Sequence, residues 1–184
     1  FIAAEDKNFY HHPGVDIFSI IRATITNVSH VIKKRRIEGG STITQQVVKN
    51  FLLTSERSLE RKIKEAVLSY MISRVFTKNE ILELYLNQIY LGKSAYGVAS
   101  AALNYFNKSV EELTLNESAI LASLPKAPSK FNLKINYRRS FERKNYVLSR
   151  MFSDGYITKH QATQASILPI KLAKFDRVQT LEAN

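Results

Sequence analysis

Glu5-Asp6-Lys7-Asn8-Phe9-Tyr10-His11-His12-Pro13-Gly14 is the stretch around which the rest of the chain is organised. Two adjacent acids precede two aromatic residues, two histidines and a turn that ends in glycine. Such a cluster fits a solvated turn that caps the next helix. It fits equally well a catalytic site in which Glu5 is the reacting carboxylate. This stretch alone does not separate the two interpretations.

The composition of the 184-residue chain describes one folded domain. Hydrophobic residues make up 45% of it and aromatic residues 10%, which is enough to bury a core and excludes a disordered chain. There is no cysteine, so disulfides and thiolate metal sites are excluded. The sequence has no run of eighteen apolar residues and begins at Phe1 rather than at methionine. We therefore expect a fragment whose membrane anchor lies outside this sequence.

Positive charge is concentrated in two segments of the chain. The net charge is +11, and residues 33–64 hold nine Lys/Arg against three glutamates. Residues 126–150 hold eight Lys/Arg against Glu142 alone. Basic segments of this kind bind the phosphates of nucleic acid, anionic lipid headgroups or a pyrophosphate substrate. Charge alone does not choose among these ligands.

Apolar periodicity and helix-capping signals predict an all-α domain. An apolar stripe over residues 15–32 indicates either core packing or a helix on a membrane surface, because the basic run Lys33-Lys34-Arg35-Arg36 follows it. Further helices are predicted over residues 58–76, 77–91, 96–106, 115–124 and 137–153, and from Lys159 onwards. The predicted core face of the helix over residues 58–76 consists of Leu59, Ile63, Ala66, Val67, Tyr70 and Met71.

A helix is also predicted to start at Thr42, after the pair Gly39-Gly40. Thr42 and Gln45 have the spacing of a capping box, and the backbone N–H groups of such a helix start can bind an anion. Downstream, Gln46, Lys49 and Asn50 lie one turn apart. A capped helix with a solvated polar face explains the same pattern.

Arg57, Arg61 and Glu65 recur every four residues along one face of the next predicted helix. The simpler interpretation is a surface ion pair. The alternative is a carboxylate held beside several cations, in a pocket that receives a doubly charged leaving group. Spacing permits both.

In combination, these motifs resemble a known family. They are Glu5-Asp6-x-x-Phe9-x-x-His12-x-Gly14, Gly40-Ser41-Thr42-Ile43-Thr44-Gln45-Gln46 with Lys49-Asn50, Arg61-Lys62-x-x-Glu65 and Ile81-Leu82-Glu83-x-Tyr85-Leu86-Asn87. In this order they resemble the peptidoglycan glycosyltransferases of glycosyltransferase family 51, the transglycosylase domains of class A penicillin-binding proteins and their monofunctional relatives. The resemblance covers roughly residues 1–150.

The resemblance implies a lysozyme-like helical fold with a large helical lobe. A small membrane-associated subdomain is expected over about residues 15–40 of the 1–184 domain. The implied reaction polymerises lipid II into β-1,4-linked glycan strands with inversion. Glu5 matches the general base that takes the proton of the acceptor 4-hydroxyl as undecaprenyl pyrophosphate leaves.

The resemblance also assigns the remaining candidate residues. Glu65 matches the second carboxylate of the family, which either orients cations or holds a divalent ion against the pyrophosphate. We favour the orientation of cations, so no cofactor is expected to be obligatory. Mg²⁺ or Mn²⁺ would still be compatible with the site. The cations implied to stabilise the pyrophosphate are Lys49, Arg57, Arg61, Lys62 and Lys64. The residues implied to shape the loop of Glu5 are Asp6, Phe9, His12 and Gly14. Those implied to line the cleft are Ser41, Thr42, Gln46 and Asn50.

The implied partners are lipid II, a lipid-linked glycan strand and the membrane surface, and not nucleic acid. We further expect a transpeptidase domain in the full-length chain, moenomycin-type inhibitors, and a location on the periplasmic face of the cytoplasmic membrane. The alternative enzyme is a lytic transglycosylase or lysozyme-like hydrolase, which would use Glu5 as a general acid on a finished glycan. Such an enzyme has no need of cations facing a leaving group.

Overall fold

A computed structural model describes residues 1–22, 40–52, 58–126 and 136–173 of the chain. Across these residues the regular structure is α-helical, and strand-like pairing is confined to the isolated bridge between Tyr90 and Tyr96. The all-α prediction is therefore confirmed. The expected membrane-proximal subdomain falls largely on residues 23–39, which lie outside the described residues.

The helices, in chain order, are α1 Ile2–Glu5, α2 over residues 17–22, α3 Ile43–Leu52, α4 Leu59–Val75, α5 Lys78–Gln88, α6 Val98–Phe106, α7 Leu115–Ser123, α8 Tyr137–Ser153 and α9 Lys159–Ile167. The short helix α1, which ends at Glu5, was not predicted. Helix α8 has the predicted bounds. Helix α5 ends three residues earlier than predicted, because Ile89–Gly97 turns back on itself through the Tyr90–Tyr96 bridge.

Four capping boxes fix the starts of helices at the predicted positions. They are formed by Thr42 with Gln45, Thr77 with Glu80, Thr114 with Glu117, and Thr158 with Gln161. In each of them the threonine hydroxyl accepts the backbone N–H three residues on, and the Glu or Gln side chain accepts the threonine N–H. These local bonds explain why the helix starts were readable from sequence.

The hydrophobic core lies among α3, α5, α6 and α7. Phe9 and Ile43 bring the first motif and α3 into this core, where they join Tyr85 of α5 and Leu121 of α7. Helix α3 packs against both α4 and α5, while α8 packs against α1, α7 and α9. As a result, α1, α3 and α8 meet near Glu5, at the start of the first motif.

The predicted core face of α4 is wrong. Leu59, Ile63, Val67, Tyr70 and Met71 are all exposed. On its opposite side, α4 packs the partly buried Ile72 against the core. Its buried residues are Glu65 and Ser69. Periodicity identifies an apolar stripe but does not say what the stripe faces. Here the neighbouring segments contact the opposite side of the helix.

Gly14 is the residue that lets the first motif approach α4. Its φ is +89°, and a Cβ added to it would lie 2.2 Å from the backbone oxygen of Ser69. Its own carbonyl accepts a 2.6 Å hydrogen bond from the hydroxyl of Thr42. Both the positive φ and the close contact require glycine.

We expect Gly14→Ala to lower the free energy of unfolding by about 3 kcal/mol or more, because backbone strain and a backbone clash add together. Gly155→Ala is the matched control, since Gly155 has a φ of +79° but no atom within 4 Å of an added Cβ. It should cost about 1 kcal/mol. Urea denaturation of both variants measures the difference. Equal losses would contradict the role assigned to the close contact.

Candidate active site

Glu5 lies at the end of α1 and opens into a polar cavity of about 360 Å³. The walls of this cavity come from α1, the loop that follows it, α2, the start of α3 and α8. Besides Glu5, its lining includes Asp6, Lys7, Asp16, Ser19, Arg22, Ser41, Thr42, Tyr146 and Arg150. The first two sequence motifs therefore meet at one cavity.

The two carboxylate oxygens of Glu5 have different neighbours. Gln46 of α3 donates a hydrogen bond of 3.2 Å from its side-chain amide to Oε2. Arg143 of α8 brings a guanidinium nitrogen to 3.7 Å from Oε1. Both ends of the carboxylate are thus faced by polar groups, one of them a cation.

Burial is the main influence on the ionisation of Glu5. It raises the pKa of this carboxyl, because removal from water disfavours the charged form. The hydrogen bond from Gln46 and the positive charge of Arg143 act in the opposite direction without cancelling it. A raised pKa brings a glutamate closer to the range in which general bases and general acids work near neutral pH.

Asp6 is buried next to Glu5 in the chain and joins the loop of the first motif to α3. Its two carboxylate oxygens both lie 3.0 Å from Nε2 of His12, and Oδ2 accepts a 2.9 Å hydrogen bond from the backbone N–H of Ile43 at the start of α3. The anion expected at this helix start is therefore supplied by the protein itself. The Ile43 N–H group is not left for a substrate phosphate.

Phe9 completes the support of the loop. Its side chain is fully buried, and its ring makes edge-to-face contacts with Tyr10 and His12. The ammonium group of Lys78 lies 4.7 Å from the centre of that ring and donates a 2.6 Å hydrogen bond to the carbonyl of His12. The loop of the first motif is thereby fixed against α5.

Glu65 forms a second polar centre on the buried side of α4. Only 2% of its side chain is exposed. Arg61 approaches Oε2 at 3.3 Å, and the ammonium group of Lys62 contacts Oε1. Lys62 also donates a 2.9 Å hydrogen bond to the hydroxyl of Ser41, which lies just before α3. Glu65 thus holds two cations, and one of them, Lys62, also reaches the start of α3.

The other predicted cations are not brought to Glu65 in the same way. Lys49 and Asn50 are exposed on α3 beyond Gln46. Lys64 pairs with the exposed Glu60 at 2.6 Å. Arg57 lies outside the described residues.

The residues around Glu65 do not by themselves fit a divalent ion. Both of its oxygens are already engaged by cations, and in the described ranges no group of three or more His, Asp or Glu side chains is placed to hold a metal.

Sequence reasoning missed the contribution of α8. Arg143, Tyr146 and Arg150 come from this helix to Glu5 or to its cavity. A signal was present, because all three lie within or at the end of the second basic segment. The long distance of this segment from Glu5 along the chain gave no reason to connect the two.

Within the described part of the chain, no helix is both long and apolar enough to cross a bilayer.

Known proteins are similar to this chain over most or all of its length. The model of the family described as Transglycosylase matches residues 1–152. The chain is 65% identical to penicillin-binding protein 1A of Rickettsia conorii, over all of this chain and 23% of that protein. It is 53% identical to penicillin-binding protein 1A of Escherichia coli, over 89% of this chain and 19% of that protein.

A solved structure shows the same relationship. The crystal structure of penicillin-binding protein 1A from Haemophilus influenzae is matched with a TM-score of 0.50 and 42% sequence identity, over 73% of this chain and 17% of that one. The chain therefore spans less than a quarter of the length of these relatives.

We expect Asp6→Ala to lower the free energy of unfolding by about 2–4 kcal/mol, because it leaves the Ile43 N–H and His12 without their buried acceptor. Glu83→Ala, which removes an exposed carboxylate from α5, is the control and should change stability by less than about 0.5 kcal/mol. Chemical denaturation measures both. A loss no larger than that of the control would show that Asp6 does not hold the loop to α3.

Proposed function

The chain belongs to the transglycosylase family, and from this premise we propose that it is a peptidoglycan glycosyltransferase that polymerises lipid II with Glu5 as general base. The observation that carries the proposal is the largely buried Glu5 at a polar cavity, together with Lys62 of α4, which Glu65 holds and which contacts Ser41 just before α3. Such a polymerase joins lipid-linked disaccharides into a β-1,4-linked strand. It releases undecaprenyl pyrophosphate at each step.

In the proposed reaction, Glu5 takes the proton from the 4-hydroxyl of the acceptor sugar. The hydroxyl oxygen attacks C1 of the donor sugar from the face opposite the pyrophosphate, so the configuration at C1 inverts. Burial supports this role because it raises the pKa of Glu5 towards the working range of a base. The hydrogen bond from Gln46 supports it by fixing the carboxylate.

Departure of pyrophosphate places negative charge opposite Glu5, and cations stabilise that charge in the transition state. Arg61 and Lys62, oriented by Glu65, are the best-placed candidates. Lys49 adds an exposed positive charge on α3, one turn from Gln46. Ser41, Thr42 and Asn50 are proposed to line the path of the substrate.

Exposed apolar side chains support contact with the membrane that carries a lipid-linked substrate. Phe18 of α2 is 85% exposed, and Ile17 and Ile21 beside it are also exposed. The apolar stripe on α4 adds a second exposed apolar surface with Lys and Arg residues along the same helix. Apolar side chains together with basic residues are typical of helices at a bilayer surface. The periplasmic location, the transpeptidase domain and binding of moenomycin-type inhibitors belong to the same proposal.

A glycan-cleaving enzyme is the alternative, since a buried glutamate with a raised pKa also suits a general acid. Purified lipid II and finished glycan strands separate the two functions when their products are compared on gels. We expect the protein to lengthen lipid II into strands and to leave finished strands intact. Cleavage of finished strands without polymerisation would overturn the proposal.

We expect Glu5→Gln to reduce polymerisation roughly 100- to 10,000-fold, the usual contribution of a general base. The variant should be at least as stable as the wild type at neutral pH. A carboxyl whose pKa is raised by folding stabilises the protein at low pH and loses that contribution as pH rises through its folded pKa. The wild-type rate should accordingly rise with pH as Glu5 ionises. Initial rates over a pH series, together with thermal denaturation, test both statements, and an unaffected rate would exclude Glu5 as the base.

We expect Glu65→Gln to slow polymerisation because Arg61 and Lys62 lose the carboxylate that orients them. Addition of EDTA to the wild type should leave its rate unchanged if orientation is the role of Glu65. Rates with and without EDTA, followed by rates after adding Mg²⁺ or Mn²⁺, decide this. A rate lost to EDTA and recovered with either ion would replace orientation with a metal role.

A further inference from the structure

Arg143 is a cation beside Glu5 that belongs to none of the motifs on which the proposed function rests. Its guanidinium lies 3.7 Å from Oε1 of Glu5, and the exposed fractions are 10% for the Arg143 side chain and 14% for the Glu5 side chain. It comes from α8, more than 130 residues away along the chain. Packing of α8 against α1 brings the two groups together.

The guanidinium also contacts an aromatic ring of its own helix. It lies over the ring of Tyr146, one turn further along α8, with 4.4 Å between the guanidinium carbon and the ring centre. Its Nε is buried, and within the described residues it has no hydrogen-bond partner. An arginine stacked on a ring in this way keeps its charge while losing freedom of movement.

The 3.7 Å between the guanidinium nitrogen and Oε1 of Glu5 is too long for a hydrogen bond. It is short enough for strong attraction between the two charges. Gln46 occupies Oε2 with a true hydrogen bond. Oε1 therefore interacts with the positive charge of Arg143 without accepting a hydrogen bond from it.

From this geometry, and resting on the proposed function, we propose that Arg143 is a positioning residue that keeps Glu5 ionised through space and leaves Oε1 to accept the proton of the acceptor hydroxyl. The two oxygens then have separate tasks. Oε2 anchors the carboxylate to α3, and Oε1 carries out the proton transfer. The proton moves from the hydroxyl to Oε1 as the new glycosidic bond forms and the bond to pyrophosphate breaks.

Other groups around Glu5 also influence its ionisation. Lys126, just after α7, and the α-amino group of Phe1 add positive charge and oppose the effect of burial on the pKa of Glu5. Tyr85 of α5 is also close enough to interact with Glu5, but burial raises the pKa of its hydroxyl well above the ordinary value, so it stays neutral. The carboxylate of Asp6 is held by His12 and Ile43.

Three variants separate charge from packing. Arg143→Met removes the charge and keeps an apolar stem for the ring of Tyr146. Arg143→Lys retains a positive charge. Arg138→Met is the matched control, because it removes the same charge from the same helix at a side chain that is 91% exposed.

Polymerisation rates over a pH series give the first readout. We expect Arg143→Met to shift the acid side of the profile to higher pH, with a loss of about tenfold there, equivalent to one pH unit, and recovery towards the wild-type rate at higher pH. Arg143→Lys should restore most of the lost rate, and Arg138→Met should follow the wild type. A folded Arg143→Met with the wild-type profile would overturn the proposal, as would a uniform loss at every pH in both Arg143 variants.

Direct titration of Glu5 gives a readout that needs no substrate. Carbon-13 labelling of glutamate, with Glu5→Gln to assign the resonance, follows the carboxyl by NMR. Its midpoint should be higher in Arg143→Met than in the wild type, and an unchanged midpoint would refute the through-space role. If the wild type made no strands from lipid II, the proposed function would fail while this titration still decided the role of Arg143.

A third measurement is made on the wild type, with Arg143→Lys used only for assignment, so it holds even if Arg143→Met does not fold. The nitrogen-15 resonances of the Arg143 guanidinium, assigned with Arg143→Lys, should shift with the same midpoint as Glu5. Guanidinium resonances that did not respond to the ionisation of Glu5 would show that the two groups are not coupled.

Discussion

The carboxylate of Asp6 is the group on which the arrangement of the site depends. It binds His12 within its own loop and the first N–H of α3 in the next motif. A buried carboxylate is stable when several donors surround it, and here one partner lies in the same loop while the other comes from α3. The same contacts fix the end of α1, so the position of Glu5 relative to Gln46 follows from the pairing of its neighbour.

Helix α4 shows how the site departs from an ordinary core. An amphipathic helix normally buries its apolar stripe, yet α4 turns Glu65 and Ser69 inward and leaves its apolar stripe exposed. The close approach of Gly14 to the backbone of Ser69 gives one reason, since only a small polar face admits a loop at that distance. The ion pairs that the buried Glu65 makes with Arg61 and the partly exposed Lys62 give the other. Burial of these charges is tolerable because they are paired.

Local rules predicted much of the fold, and the rest needed tertiary contacts. Capping boxes such as Thr77 with Glu80 marked helix starts, because both partners lie within one turn of sequence. The ion pair of Arg61 with Glu65 was readable for the same reason. The inward face of α4, the anion at the start of α3 and the approach of Arg143 to Glu5 each depend on a segment distant in sequence. Neither periodicity nor charge counting reports which segments meet.

Glu5 stands between two opposing requirements. Burial raises its pKa and favours the protonated form, and a protonated glutamate cannot act as a base. A solvated carboxylate would ionise readily but would be a weak base with a low pKa. Gln46 and the charge of Arg143 each recover part of the ionisation that burial removes, without returning the carboxylate to water. Because burial raises the pKa of Glu5, holding it ionised at neutral pH lowers the stability of the folded protein. Such a loss is typical of a site arranged for chemistry rather than for stability.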